Sequence, residues 1–156
     1  MTLRVLTVCT GNVCRSPLAE ALLVARLTGL DIAVRSAGLH ALVGEPATSD
    51  TLRLAADRGA DLDRAHAHRA RLVDEALLEG ADLVLTASRE HRRGVVDLAP
   101  AKLRSTFTLR EFARPAHEIT DADIAAAAGA AADPAHRLRY AIGPLASPRS
   151  PIDPPA

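Results

Sequence analysis

A ten-residue segment near the start of the chain, VCTGNVCRSP at residues 8–17, most constrains how the protein can fold. An apolar run at residues 3–8 precedes it and an amphipathic run at residues 18–27 follows it, so the pattern predicts a strand, a tight loop and a helix. Ser16 is a preferred N-cap residue and Pro17 suits the first helical position, so we expect the helix to begin there. A loop that leads into a helix N-terminus can present backbone N–H groups to an anion.

The rest of the chain alternates short apolar runs with helical patterns. Further strands are predicted at residues 32–36, 82–86 and 103–107, with helices between them. This alternation predicts a three-layer α/β fold, a four-stranded parallel sheet with helices on both faces. Ligands bind at the carboxyl ends of the strands in such a sheet, which is where Cys9 lies. We expect one domain over residues 1–142 and a proline-rich C-terminal tail over residues 143–156.

Charge and composition narrow the range of partners. The 156 residues include 19 basic and 19 acidic side chains. A chain without net charge has no long-range field to recruit nucleic acid or an anionic membrane, so we expect neither as a partner. The first residues lack the apolar core of a signal peptide, and no apolar run approaches the roughly 20 residues of a membrane span. Both cysteines lie in one loop, unlike those of a secreted disulfide scaffold. We therefore expect a cytoplasmic protein.

The loop carries a thiol at one end and a guanidinium at the other. Cys9 faces a helix N-terminus and an arginine, which favours the thiolate, the reactive form of cysteine. The planar fork of Arg15 can hold two oxygens of a phosphoryl group. Attack of the sulfur on phosphorus would give a phosphocysteine, which water then hydrolyses. The residues predicted to bind phosphate between and beside these two groups are Thr10, Gly11, Asn12, Val13, Cys14 and Ser16.

Beyond this chemistry, the segment CTGNVCRSPLAEAL at residues 9–22 resembles the active-site segment of the bacterial low-molecular-weight protein tyrosine phosphatases. Shorter matches follow, namely SAG at 36–38, GEPA at 44–47, DL at 61–62, HRAR at 68–71 and ADLVLT at 81–86. The resemblance extends over residues 1–115. It implies the phosphotyrosine phosphatase I-like fold and a protein-tyrosine-phosphate phosphohydrolase. It also implies a phosphotyrosine-containing protein as substrate, inorganic phosphate or another oxyanion in the loop, and neither a metal nor a cofactor.

The same resemblance implies roles for individual residues. Cys9 corresponds to the nucleophile, Arg15 to the phosphate clamp and Ser16 to the hydrogen-bond partner of the thiolate. Asn12 corresponds to a residue that stabilises the loop by bonding to Ser36, and Arg71 to a structural hydrogen-bonding residue. Cys14 matches a second loop cysteine that forms a reversible disulfide with the oxidised nucleophile in some members. It could equally be a small apolar residue that packs the loop.

The general acid is where the sequence departs from this family. Members carry an Asp-Pro pair followed by Tyr or Phe near the C-terminus, and its Asp protonates the leaving phenolate. This chain has Asp133-Pro134 and Asp153-Pro154, and neither precedes an aromatic residue. Asp133 lies between alanine-rich stretches, where it reads as the start of a helix. Asp153 is therefore the best candidate for the acid, although the true acid could lie beyond residue 156.

Two other functions stay open at this point. A thioredoxin-coupled arsenate reductase of this fold needs two further cysteines outside the loop, which this chain lacks, whereas a type that relies on a small cellular thiol needs only the loop cysteine. A phosphotyrosine-binding module without an effective acid is the other alternative. The histidines invite a metal site, but His66 and His68 lack the partners that zinc requires. We expect the histidines, including His91, on the solvated surface, with His40 and Leu42 near the mouth of the loop.

Overall fold

The structure is a computed structural model that describes residues 2–116, 120–129, 133, 136–140 and 142. Within these residues four strands form one parallel sheet in the order β2-β1-β3-β4. The strands are β1 (Leu3–Cys9), β2 (Ile32–Gly38), β3 (Leu83–Thr86) and β4 (Thr106–Thr108). The predicted four-stranded parallel sheet is thereby confirmed. The predicted tail at residues 143–156 lies outside the described residues.

Seven α-helices and one 3-10 helix accompany the strands in the described part of the chain, and the last two helices follow β4. The helices are α1 (Arg15–Arg26), α2 (Ser49–Asp57), α3 (Leu62–Ala67), α4 (Glu75–Gly80), α5 (Arg89–Leu98), the 3-10 helix (Pro100–Ser105), α6 (Leu109–Ala116) and α7 (Asp121–Ala128). Residues 136–140 are also helical. Helices α2 to α5 are each capped at the N-terminus by a side-chain oxygen that accepts a backbone N–H of the helix. The capping residues are, in chain order, Thr48, Asp61, Asp74 and Ser88.

Apolar side chains cover both faces of the sheet. On one face, Leu3, Val5 and Val34 pack with Phe107 against α1 and α6. On the other face, the apolar side chains of β1, β2 and β3 pack against α4, α5 and the segment before α4; these side chains are Leu6, Val8, Ala37 and Val84. Burying a Leu or Val side chain contributes about 1.5–3 kcal/mol, so both helical layers are held by the hydrophobic effect. The arrangement is the predicted three-layer α/β fold.

The fourth strand differs from its sequence prediction. A strand was expected at residues 103–107, but the structure begins β4 at Thr106 and places a 3-10 helix at Pro100–Ser105. Proline at the first position favours a helical turn. The Lys102 ammonium also donates to the carbonyl oxygen of Ala81 at 2.7 Å, and the hydroxyl of Thr106 donates to the carbonyl of Lys102 at 2.7 Å. These contacts hold the segment against the end of α4 instead of extending the strand.

Two helix boundaries also differ from the sequence predictions. Helix α1 begins at Arg15, and Ser16 lies buried inside its first turn and not at the N-cap. The sequence also predicts a helix over residues 72–78, but α4 begins only at Glu75, because Asp74 supplies the N-cap and Leu72 instead forms a parallel bridge to Gly38. No helix in the described part of the chain combines the length and the apolar character needed to cross a bilayer.

Candidate active site

The predicted loop lies at the carboxyl edge of the sheet. Cys9 is the last residue of β1, is 2% exposed, and pairs in register with Gly38 of β2. A Cβ atom on Gly38 would collide with the carbonyl oxygen of Thr10, so only glycine lets the loop lie against the end of β2. The short SAG match at residues 36–38 therefore has a steric reason. Residues 10–14 form the loop, and α1 starts at Arg15.

Every carbonyl of the loop points away from its centre. The carbonyl oxygens of residues 9–14 all accept hydrogen bonds, at 2.6–3.2 Å, from donors outside this segment. In chain order the donors are the backbone N–H groups of Leu39, His40 and Leu42, the imidazole of His68, and the backbone N–H groups of Thr48 and Leu18. Asn12 makes this possible by adopting a left-handed backbone conformation with φ of 57°.

The backbone N–H groups of the loop face no acceptor in the part of the chain that the structure describes. Those of residues 10–15 have no hydrogen-bond partner among the residues that the structure describes. Because unpaired backbone donors are costly, such a ring of N–H groups is typical of a nest that binds an anion. Arg15 adds to it, since its exposed guanidinium also lacks an acceptor in the described part of the chain. By contrast, Arg64, Arg92 and Arg139 are ion-paired.

A chain of buried hydrogen bonds leads to the thiol. The side-chain amide of Asn12 donates to the hydroxyl of Ser16 at 2.9 Å and to that of Ser36 at 3.0 Å. The amide orientation follows from Arg71, whose backbone N–H donates to Asn12 Oδ1 at 2.8 Å. Because Ser16 accepts from Asn12, its own proton is available to Cys9 Sγ, which lies 2.9 Å away. A hydrogen bond to sulfur stabilises the thiolate.

The far end of this chain is a buried carboxylate. Ser36 donates its proton to Glu20 in α1, and Glu20 Oε1 lies 3.1 Å from Nε of Arg64 in α3. The Arg64 side chain is fixed in turn by a 2.9 Å hydrogen bond to the carbonyl of Val34. A buried charge needs a partner, so this ion pair lets a carboxylate orient the hydroxyl of Ser36. The contacts predicted for Ser16 and Asn12 are thus present in the structure.

Two histidines contradict the expectation of a solvated surface. His68 is 8% exposed and its Nε2 lies 2.6 Å from the carbonyl oxygen of Asn12. His91 is 5% exposed, with Nε2 2.7 Å from Thr10 Oγ1 and Nδ1 2.9 Å from Ser88 Oγ. Burial, followed by the positive charge of Arg15, lowers the pKa of His91, and Glu90 acts in the opposite direction. The burial of His91 could be inferred from the sequence, because His91 lies three residues after Ser88, the helix cap that follows β3.

The remaining residues named from the sequence are Cys14, Arg71, His40 and Leu42. Both cysteines are free thiols, and exposed Cys14 has its Sγ 3.5 Å from Thr48 Oγ1. The contacts of Arg71 come from its backbone, because its carbonyl also accepts from Gly38 N–H at 2.9 Å and its side chain is exposed. Leu42 lies at the mouth of the loop and is exposed, as is His40.

The two Asp-Pro pairs have different outcomes. Asp133 Oδ1 accepts the backbone N–H of His136 at 3.0 Å, which is the helix-starting role that the sequence indicates. Asp153 lies outside the described residues, so its role as the general acid stays a prediction.

Replacing Asn12 with alanine is expected to lower the free energy of unfolding by about 3–5 kcal/mol. The substitution removes three side-chain hydrogen bonds of the buried Asn12 and leaves a β-carbon in the left-handed region. Urea unfolding followed by circular dichroism measures the change. Asn12→Gly is the matched control, since it loses the same bonds but relieves the backbone strain, and we expect it to be about 1 kcal/mol less destabilised. An alanine variant as stable as the parent would contradict the assignment.

Comparison with known proteins gives a consistent result. Residues 4–130 match the family model described as low molecular weight phosphotyrosine protein phosphatase. The chain is 39% identical over 108 residues, 69% of its length and 71% of the relative's, to the probable low molecular weight protein-tyrosine-phosphatase EpsP of Ralstonia solanacearum. It is 36% identical over 126 residues, 80% and 78% of the two chains, to the protein-arginine-phosphatase of Geobacillus stearothermophilus.

Solved structures agree with these relatives. The low molecular weight protein tyrosine phosphatase from T. tengcongensis has a TM-score of 0.66 and 34% identity, covering 93% of this chain and 95% of that one. The YwlE arginine phosphatase from Geobacillus stearothermophilus has a TM-score of 0.64 and 32% identity, covering 92% and 88%. The chain therefore belongs to the low molecular weight phosphotyrosine protein phosphatase family.

Proposed function

We propose that the protein is a protein-tyrosine-phosphate phosphohydrolase that acts through a phosphocysteine intermediate. The observation that carries the proposal is the loop after β1, where the carbonyls of residues 9–14 turn outward and the N–H groups of residues 10–15 have no acceptor in the described structure. Such fixed donors stabilise the charge that spreads over the oxygens of a transferring phosphoryl group. Family membership and the thiol at the floor of the loop add independent support.

The proposed reaction has two steps. The thiolate of Cys9 attacks phosphorus, so that an S–P bond forms and the ester O–P bond breaks in line with it. Arg15 and the loop N–H groups hold the phosphoryl oxygens, and the general acid gives a proton to the leaving phenolate. Water then attacks phosphorus while the deprotonated acid takes up its proton, the S–P bond breaks with its electron pair returning to sulfur, and inorganic phosphate is released. Ser16 stabilises the thiolate at both ends of the cycle through its 2.9 Å contact.

The names of the relatives support a phosphoprotein substrate, and a direct comparison tests which phosphorylated residue is hydrolysed. Relatives are named as tyrosine phosphatases and as arginine phosphatases, which disfavours an arsenate reductase or a pure binding module. The test measures release of phosphate from peptides carrying phosphotyrosine, phosphoarginine or phosphoserine, with phosphocysteine detected by ³¹P NMR after a rapid quench. Preference for phosphotyrosine supports the proposal, and preference for phosphoarginine would replace the substrate. Oxyanion binding without any turnover would support the binding module.

A reactive thiol also bears on where the enzyme works. We propose the cytoplasm, since a reducing compartment keeps Cys9 and Cys14 as the free thiols seen in the structure. The partner there is a phosphotyrosine-containing protein, with inorganic phosphate as the product bound in the loop.

We propose Asp153 as the general acid and expect Asp153→Asn to lower kcat on phenyl phosphate by about 100-fold. The effect on p-nitrophenyl phosphate is expected to be much smaller, because that leaving group is stable without a proton. Steady-state rates on the two esters measure the difference. Asp133→Asn is the matched control, since an Asn at that position still caps its helix and is expected to leave both rates unchanged. Equal rates for Asp153→Asn and the parent on both esters would remove Asp153 from the mechanism.

A further inference from the structure

Helix α5 reaches the catalytic loop through one buried side chain. The imidazole of His91 lies between two hydroxyl groups, with Nδ1 2.9 Å from Ser88 Oγ and Nε2 2.7 Å from Thr10 Oγ1. Ser88 is the N-cap of α5 and accepts the backbone N–H of His91 at 3.3 Å. Thr10 directly follows Cys9 in the chain. His91 therefore links the helix N-terminus to the loop residue beside the nucleophile, and the proposed reaction assigns no role to its ring.

We propose that His91 is a positioning residue of the phosphatase site, which holds Thr10 to α5 and whose protonation strengthens the binding of a phosphoryl group in the loop. The inference rests on the proposed function only in taking the loop as an oxyanion site. It concerns how the loop is held and charged, and it adds no atom to the chemical steps.

The hydrogen bonds allow the ring to change charge in place. A neutral imidazole has one N–H and one lone pair. Ser88 Oγ accepts the His91 backbone N–H, and its hydroxyl can donate a hydrogen bond to Nδ1. That leaves the ring proton on Nε2, which donates to Thr10 Oγ1. When the ring is protonated, the second lone pair of Ser88 can accept Nδ1–H. Both charge states are therefore satisfied by the same neighbours.

The charged groups around His91 set the direction of the coupling. Burial and Arg15 lower the pKa of His91, against the smaller effect of Glu90, so the neutral ring is favoured when the loop is empty. On the elements packed against α5, the Lys102 ammonium is turned toward the carbonyls of Glu79 and Ala81. Oε2 of Glu111 in α6 lies 3.8 Å from Nε of Arg92, so the charge of this carboxylate is offset by Arg92. Arg15 is thus the charged neighbour that a ligand in the loop would meet.

Binding of an oxyanion reverses the influence of Arg15. A phosphoryl dianion beside that guanidinium offsets its positive charge and adds negative charge, so the pKa of His91 rises on binding. Linkage is reciprocal, so protonation of His91 must tighten oxyanion binding by the same factor. We expect a factor of about five, near the lower end of typical couplings between sites, which corresponds to a rise of about 0.7 in the pKa.

The first experiment follows the ring protons of the parent protein by NMR between about pH 5 and pH 9, a range that brackets an ordinary histidine. The titration is run without and with saturating inorganic phosphate. The midpoint of His91 is expected to rise by about 0.7 with phosphate. Exposed His66 in α3 serves as the internal reference and is expected to stay unchanged. Identical midpoints for His91 in the two titrations would overturn the coupling, and this measurement needs no substitution.

The second experiment compares two substitutions by the dissociation constant of inorganic phosphate, measured by calorimetry across the same pH range. His91→Gln keeps an N–H for Thr10 but does not titrate, whereas His91→Leu loses the contact. We expect His91→Gln to match the parent at high pH and to bind about fivefold more weakly at low pH. His91→Leu is expected to bind more weakly at every pH, and His66→Gln is the control. An equal, pH-independent loss in both His91 variants would reduce the residue to a structural role.

The two proposals fail in different ways. Phosphate binding with the expected shift of His91, but without turnover of any phosphopeptide, would contradict the proposed function and leave this inference standing. Normal turnover with an unresponsive His91 would overturn the inference alone.

Discussion

Cys9→Ser is expected to lower kcat on an aryl phosphate by about 10⁴-fold or more. A serine hydroxyl has nearly the same size and can keep the contact with Ser16, but it stays protonated near neutral pH, and the thiolate is the stronger nucleophile. Steady-state hydrolysis measures the loss, and ³¹P NMR checks that the phosphocysteine signal disappears.

Binding of inorganic phosphate provides the control for this variant. The loop N–H groups and Arg15 are unchanged, so calorimetry is expected to give a dissociation constant within about threefold of the parent value. Loss of binding together with loss of turnover would show that the substitution had disturbed the loop itself. Turnover close to that of the parent would end the proposed mechanism.

Arg15→Lys is expected to lower kcat by about 10³-fold while the positive charge is kept. The guanidinium of Arg15 has no acceptor in the described structure and can give two parallel N–H bonds to a phosphoryl group. A lysine ammonium offers a point charge on a flexible stem and cannot reproduce that fork. Steady-state kinetics on an aryl phosphate test the loss, which we expect mainly in kcat because the fork meets the most charge in the transition state.

Arg26→Lys is the matched control at the other end of the same helix. The Arg26 side chain is exposed and donates to the carbonyl of Arg58 at 3.1 Å, at the end of α1 away from the loop. We expect this substitution to leave kcat unchanged. If Arg15→Lys proved as active as Arg26→Lys, a point charge would suffice and the bidentate clamp would be wrong.

The local parts of the site were predictable from the sequence. A strand, a glycine- and asparagine-containing loop and a helix in immediate succession fix the positions of Cys9 and Arg15, because these features depend on neighbours along the chain. The capping boxes are of the same kind: Thr108 and Glu111 exchange hydrogen bonds at 2.8 and 3.0 Å, as their spacing indicates.

The errors share a cause, which is competition from tertiary contacts. Serine is a residue type favoured at N-caps, but the hydroxyl of Ser16 is hydrogen-bonded to Cys9 and Asn12, so Ser16 lies inside α1. His68 and His91 look like surface residues in polar stretches, and they are buried because loop atoms at Asn12 and Thr10 accept or donate to their rings. The two histidine contacts join residues more than 50 positions apart, and no local pattern encodes them.

The position of the thiol within the sheet has a consequence for how the enzyme fails on heating. Cys9 closes β1, an inner strand held by β2 on one side and β3 on the other. Inner strands belong to the last part of a domain to open, whereas loops and termini open first. The Cys9 thiol can therefore leave its place only when the sheet itself comes apart, so we expect thermal inactivation and global melting to coincide in one transition.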